Sequence, residues 1–140
     1  RLPVLEGLRA QQLFSDALFL ALPVDRSADE LEGLPLLTLP APTAPTFRYA
    51  VLGALAAAGV APAEIRGVAS ARTVLTLVGC GAGFGVMPRS IADAGAAGVH
   101  FEPLDQPLTL DTYAFMGAPC AAADHFLAFA QQVVAERDAR

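Results

Sequence analysis

The stretch from Ser70 to Pro88, S-A-R-T-V-L-T-L-V-G-C-G-A-G-F-G-V-M-P, constrains the fold more than any other part of the chain. It sets a capped amphipathic helix, a glycine turn and a short apolar strand in immediate succession. Ser70 is placed to act as N-cap, and Ala71, Val74, Leu75 and Val78 fall at i, i+3, i+4 and i+7, one apolar stripe of a helix. Gly79 and Gly81 end that helix. Gly83 to Met87 reads as a narrow buried strand, stopped at Pro88 because proline has no N–H to give a neighbouring strand.

The same alternation extends in both directions. Ala17 to Ala21 and Leu36 to Leu39 are short apolar runs bounded by Pro23, Pro35 and Pro40, which suits buried strands. The loop Pro40 to Pro45 is too proline-rich for a regular element and feeds a helix over about Thr46 to Ala58. That helix carries Phe47, Val51, Leu55 and Ala58 on one face, and Gly59 follows its last turn. Ile65 to Ala69 is the next strand. After Pro88 the pattern gives a short helix to about Ala94 with Ser90 as its N-cap, then strands near Val99 to Phe101 and Leu108 to Met116. The last helix, about Ala121 to Glu136, has Phe126, Phe129, Ala130 and Val133 on one face. Repeated strand and helix at crossover spacing predict an α/β chain with a largely parallel sheet.

Composition narrows the function. The 140 residues are 54% hydrophobic and 16% charged, enough for a real core, and the formal charge is −5. All nine basic residues are arginine and none of them cluster, whereas a nucleic-acid surface needs concentrated positive charge to replace counterions. The two cysteines, Cys80 and Cys120, form no C-x-x-C, which fits a reduced cytoplasmic protein with Cys80 as a small packed side chain. No apolar run reaches the roughly 18 residues of a membrane helix.

Chemistry is constrained by spacing as well. Gly79, Gly81, Gly83 and Gly85 alternate strictly, so they miss the G-x-G-x-x-G offsets, and they precede a strand where a pyrophosphate loop would follow one. The carboxylates form no acid-base pair with His100 or His125, and no set of metal ligands, nucleophile elbow or Walker lysine is present. No catalytic residue, metal or cofactor is expected. What remains is anion binding at helix N-termini, where free N–H groups and the helix dipole favour carboxylates. The two such ends are the Thr43 to Phe47 junction, including Thr46, and Ser70 to Thr73. Arg48 and Arg72 are possible anion partners there.

The order Ser70, Thr73, Val74 to Val78, Gly79 to Gly85 and Val86-Met87-Pro88 resembles the effector-binding domain of LysR-type transcriptional regulators. Leu13 to Pro23 looks like that family's strand leading towards its crossover. Phe101-Glu-Pro-Leu104 and Phe126-Leu-Ala-Phe129 look like its later strand and final helix. The resemblance implies a type 2 periplasmic-binding-protein-like fold, two Rossmann-like subdomains joined by crossover strands, with the first subdomain incomplete. Residues 1–21 and 109–140 would belong to subdomain I and 22–108 to subdomain II. A small organic, anionic effector would bind between them, near Thr43, Thr46, Phe47, Ser70 and Thr73, with Val86, Met87 and Pro88 as an apolar wall.

The resemblance further implies a cytoplasmic regulator that is a homodimer or tetramer and meets DNA only through a helix-turn-helix absent from this chain. It makes the chain an N-terminally truncated piece, so that Ala17 to Ala21 and Leu110 to Met116 would expose an unpaired edge. A solute-binding protein of a transport or sensor system with the same fold is the alternative. An enzyme is disfavoured because no catalytic constellation can be assembled.

Overall fold

The computed structural model describes residues 7–42, 44–104, 107–118 and 120–138. Its elements run β1 (Arg9–Pro23), β2 (Leu36–Thr38), α1 (Pro45–Ala57), β3 (Ile65–Gly67), α2 (Ala71–Gly79), β4 (Gly85–Pro88), α3 (Arg89–Ala92), β5 (Val99–Pro103), β6 (Thr109–Met116) and α4 (Ala121–Asp138). A single 3-10 turn, Ala28–Glu30, lies between β1 and β2. The chain divides into two compact units: Ala17–Leu110, and Arg1–Asp16 with Asp111–Arg140. Where the sequence suggests divisions near 21 and 108, these boundaries fall inside β1 and at the start of β6, which pair with each other.

In the larger unit β1 is a central strand. It lies antiparallel between β4 and β5, with Leu18 opposite Pro88, Ala21 opposite Gly85, Phe19 opposite Pro103 and Pro23 opposite Val99. The expectation of a largely parallel sheet is therefore corrected. Among the described residues β2 pairs parallel with β3, Leu36 opposite Ile65, and a parallel bridge joins Leu36 to Phe84. Strand and helix alternation fixes the crossovers of β2, β3 and β4 but is silent about β1, which runs against its two neighbours. The expected unpaired edge at Ala17 to Ala21 is corrected for the same reason, since Phe19, Leu20 and Ala21 have partners on both sides.

The core follows from period two. Along β1, Leu18, Leu20 and Leu22 face α1 and join Leu36, Val51, Leu55, Phe84 and Val86, while Ala21 faces α2 and joins Leu37, Val74, Val78 and Met87. Adjacent residues thus serve opposite faces, as Leu36 and Leu37 do, and each large side chain fully buried this way contributes about 1.5–3 kcal/mol. The glycine cluster is explained by packing. A Cβ at Gly85 would stand 2.9 Å from Val74 Cγ1, so glycine lets α2 lie close on β4. Gly83, at φ +157°, is pressed against the Pro35 carbonyl. Helix α2 ends as the sequence suggests, with Cys80 as C-cap and Gly81 at φ +76° beyond it, but Cys80 is exposed and not packed.

The smaller unit holds the first half of β1, most of β6, and α4. Ser15 Oγ donates to the Asp111 carboxylate, Arg9 pairs with Asp124 at 2.9 Å, and the Arg137 guanidinium stacks 4.8 Å from the Phe14 ring centroid. On α4 the stripe of Phe126, Phe129, Ala130 and Val133 is split by burial. Phe126, Phe129 and Val133 are 60%, 65% and 48% exposed, whereas Ala123, Leu127, Ala130 and Val134 are the half-buried positions. Both sets have helical spacing, so periodicity alone does not choose between them. Ser90 is likewise not a cap; Pro88 occupies that position and Ser90 is the second residue of α3.

Candidate functional site

In an open α/β sheet, ligands meet the carboxyl ends of the strands, where the following helices begin. Strands β2 and β3 are parallel neighbours, and the Leu36 to Phe84 bridge sets β4 parallel to β2, so Thr38, Gly67 and Pro88 end on one edge of the larger unit. Helices α1, α2 and α3 all start from that edge. Contact across it is direct: Val68 N–H donates to Thr38 O at 2.8 Å, and Gly67 lies against Pro40 of the loop that leads into α1.

The N-terminus of α2 is the better formed of the two candidate anion ends. Thr73 N–H donates to Ser70 Oγ at 3.2 Å, and Ser70 Oγ and Thr73 Oγ1 lie 2.9 Å apart, so the cap and the second hydroxyl hold each other. Val74 N–H is taken by Ser70 O at 3.0 Å. The backbone N–H groups of Ala71 and Arg72 have no hydrogen-bond partner among the described residues, and they point along the helix axis toward the edge. No acidic residue occupies the first turn, and Arg72 stands in it. The partial positive charge of the helix end is thus reinforced.

Helix α1 begins differently. Pro45 sits at its first turn, its N-cap Ala44 makes no side-chain cap, and its first turn too is free of acid. Thr46 is exposed, and Phe47 and Arg48 are half-buried, with Phe47 packed against the α1-side core. Thr43 lies outside the described residues. The remaining expected positions are split by burial. Pro88 is half-buried at the edge, whereas Val86 and Met87 are only 3% and 4% exposed and belong to opposite core clusters. They lie beneath the edge, on opposite faces of the sheet.

One residue escaped the sequence reading. Thr38, at the end of β2, is 4% exposed, and its hydroxyl has no hydrogen-bond partner among the described residues. A threonine ending a buried Leu-Leu strand just before Leu39-Pro40 was the available signal. The Glu64–Arg66 pair, by contrast, belongs elsewhere. It starts β3, at the opposite end from Thr38, and the Arg66 hydrogen bond and charge hold the Glu64 carboxyl below its ordinary range. Among the described residues no three His, Cys, Asp or Glu side chains converge on a possible metal site, and no helix is long and apolar enough to cross a membrane.

The sequence profile of the LysR substrate binding domain matches residues 2–136. The chain belongs to the LysR substrate binding domain family. Solved structures agree on the fold. The BenM effector binding domain with its effector benzoate superposes with a TM-score of 0.77 at 18% identity, covering 99% of this chain and 68% of that one. Full-length CbnR complexed with its target DNA gives 0.77 at 20% identity, covering 93% of this chain and 50% of that one. The reduced form of the OxyR regulatory domain from Pseudomonas aeruginosa gives 0.70 at 20% identity, with 94% and 69% covered. This chain therefore spans about two thirds of the isolated LysR effector domains and about half of the full-length regulators. No curated protein sequence is significantly similar to it. The fold is that of LysR effector-binding domains, type 2 periplasmic-binding-protein-like, with the mixed strand directions described above.

Proposed function

We propose that this chain is an effector-sensing part of a LysR-type transcriptional regulator, and that the strand-end edge of its larger unit binds a small organic anion. The observation that carries the reading is the α2 N-terminus, where two unpartnered backbone N–H groups, an acid-free first turn and Arg72 coincide beside Ser70 and Thr73. A carboxylate accepts hydrogen bonds from such N–H groups and is favoured by the helix dipole. The exposed hydroxyls of Ser70, Thr73 and Thr46, together with half-buried Pro88 and Phe47, supply the polar and apolar contacts a small carboxylate needs. The family assignment supports a sensing role, and the benzoate carried by the BenM domain makes an aromatic carboxylate the first compound to try.

Sensing requires differential binding. An effector that binds one conformation tenfold more tightly than another shifts their balance by about 1.4 kcal/mol, within the usual range of allosteric coupling. In this reading DNA is contacted by a separate helix-turn-helix, as suits a chain of net charge −5 with dispersed arginines, and the regulator works as a homo-oligomer in the cytoplasm without catalysing a reaction. Calorimetric titration with benzoate tests the site. Thr73→Val and Arg72→Gln are expected to weaken binding several-fold while leaving the melting temperature nearly unchanged. Unaltered affinity in both variants would remove the α2 end from the site.

A further inference from the structure

A cleft of about 570 Å³ opens on another part of the larger unit, bounded by the 3-10 turn, the C-terminal end of α1 and the end of β5. Its floor is apolar, formed by Leu20, Leu31 and Leu55, which are themselves core residues at most 5% exposed. Its polar character is of one sign. Asp29 and Glu32 from one wall and Glu102 from another line it, and among the described residues no Lys, Arg or His does. Helix α1 turns its C-terminal end to the cleft through Ala58 and Gly59, and its last turn carries no basic residue to offset the negative pole of its dipole.

From this we infer that the cleft is a second ligand site, distinct from the anion-binding edge, for a small organic ammonium: a primary amine on an apolar stem. The stem lies on the leucine floor and the ammonium meets the carboxylates at the rim. Glu102 is already paired with His100 Nε2 at 2.9 Å, so selectivity for charge rests on Asp29 and Glu32, whose carboxylates have no partner among the described residues. A metal ion fits less well, because no three ligating side chains converge there among the described residues. The volume lies within the range of small-molecule sites.

The test is a titration of the 15N-labelled chain with 2-phenylethylammonium, using phenylacetate and 2-phenylethanol as anionic and neutral counterparts of the same shape. Saturable amide shifts confined to residues 28–32 and 58–61, with the amine binding most tightly, are expected. Asp29→Asn and Glu32→Gln, both at exposed positions, should each weaken the amine about two- to fivefold, as expected for a single exposed charge pair, and leave 2-phenylethanol unaffected. Equal binding of the three probes, shifts elsewhere, or a double variant that binds the amine like the parent chain would overturn the inference. Because the effector edge is followed through residues 45–48 and 70–74, failure of one site is distinguishable from failure of the other.

Discussion

Replacing Gly83 by alanine tests whether the glycine cluster is a packing device. The new Cβ would collide with the Pro35 carbonyl and would stand 3.1 Å from both Leu37 Cγ and Pro35 Cγ. Relief requires Pro35 to move, but its carbonyl accepts the Phe84 N–H at 3.0 Å, and Phe84 is fully buried. An unsatisfied buried N–H costs about 1–3 kcal/mol, overpacking costs about 1–3 kcal/mol, and the backbone at φ +157° adds roughly 1 kcal/mol for a residue with a Cβ. Because these terms overlap, a loss of about 3–5 kcal/mol is expected. A unit of this size has about 5–14 kcal/mol of stability, so the loss is a large fraction of it. In a thermal melt followed by circular dichroism the midpoint should fall by about 12 °C or more. Gly53→Ala is the control. Gly53 sits inside α1, and a Cβ added there would meet no atom within 4 Å, so alanine should stabilise by about 0.5–1 kcal/mol. A Gly83→Ala chain melting within about 3 °C of its parent would refute the packing argument.

Three further outcomes follow from the same structure. Thr38→Val removes a buried hydroxyl without a partner among the described residues and should raise stability by about 1 kcal/mol in urea denaturation. Glu64 should titrate below the ordinary glutamate range in carboxyl NMR spectra and return to it in Arg66→Ala. Its folded-state value is depressed, so the small stabilisation it gives is present above the unfolded value and is lost as pH falls through the depressed one. Cys80 and Cys120 are both exposed, so both should react with a thiol reagent in the folded chain, without denaturant.

The local units were legible because their signals are local. Ser70 as N-cap, the Val74 and Val78 stripe, the Gly81 stop and the strand ending at Pro88 all depend on contacts within a few residues, and all are present. Direction and facing are set by partners distant in sequence. The sequence of β1 reads as a buried strand whether its neighbours run parallel or antiparallel, so the mixed sheet could not be read from it. On α4, two helical stripes compete, and the choice is made by what packs against the helix. The candidate site divides in the same way. The helix end at Ser70 to Thr73 was visible as a capping pattern, but the burial of Val86 and Met87 on opposite faces follows from the sheet between α1 and α2. Thr38 went unnoticed because its one signal, a threonine closing a Leu-Leu strand before Leu39-Pro40, is equally the mark of an ordinary strand end.

The most direct measurement is amide shift mapping of the 15N-labelled chain with benzoate and with benzamide, which has nearly the same shape and no charge. The account predicts saturable benzoate shifts centred on residues 70–74 and extending to 45–48, with benzamide much weaker. Benzoate that leaves both segments unmoved, or benzamide that matches it there, would contradict the claim that this edge is an anion-binding site.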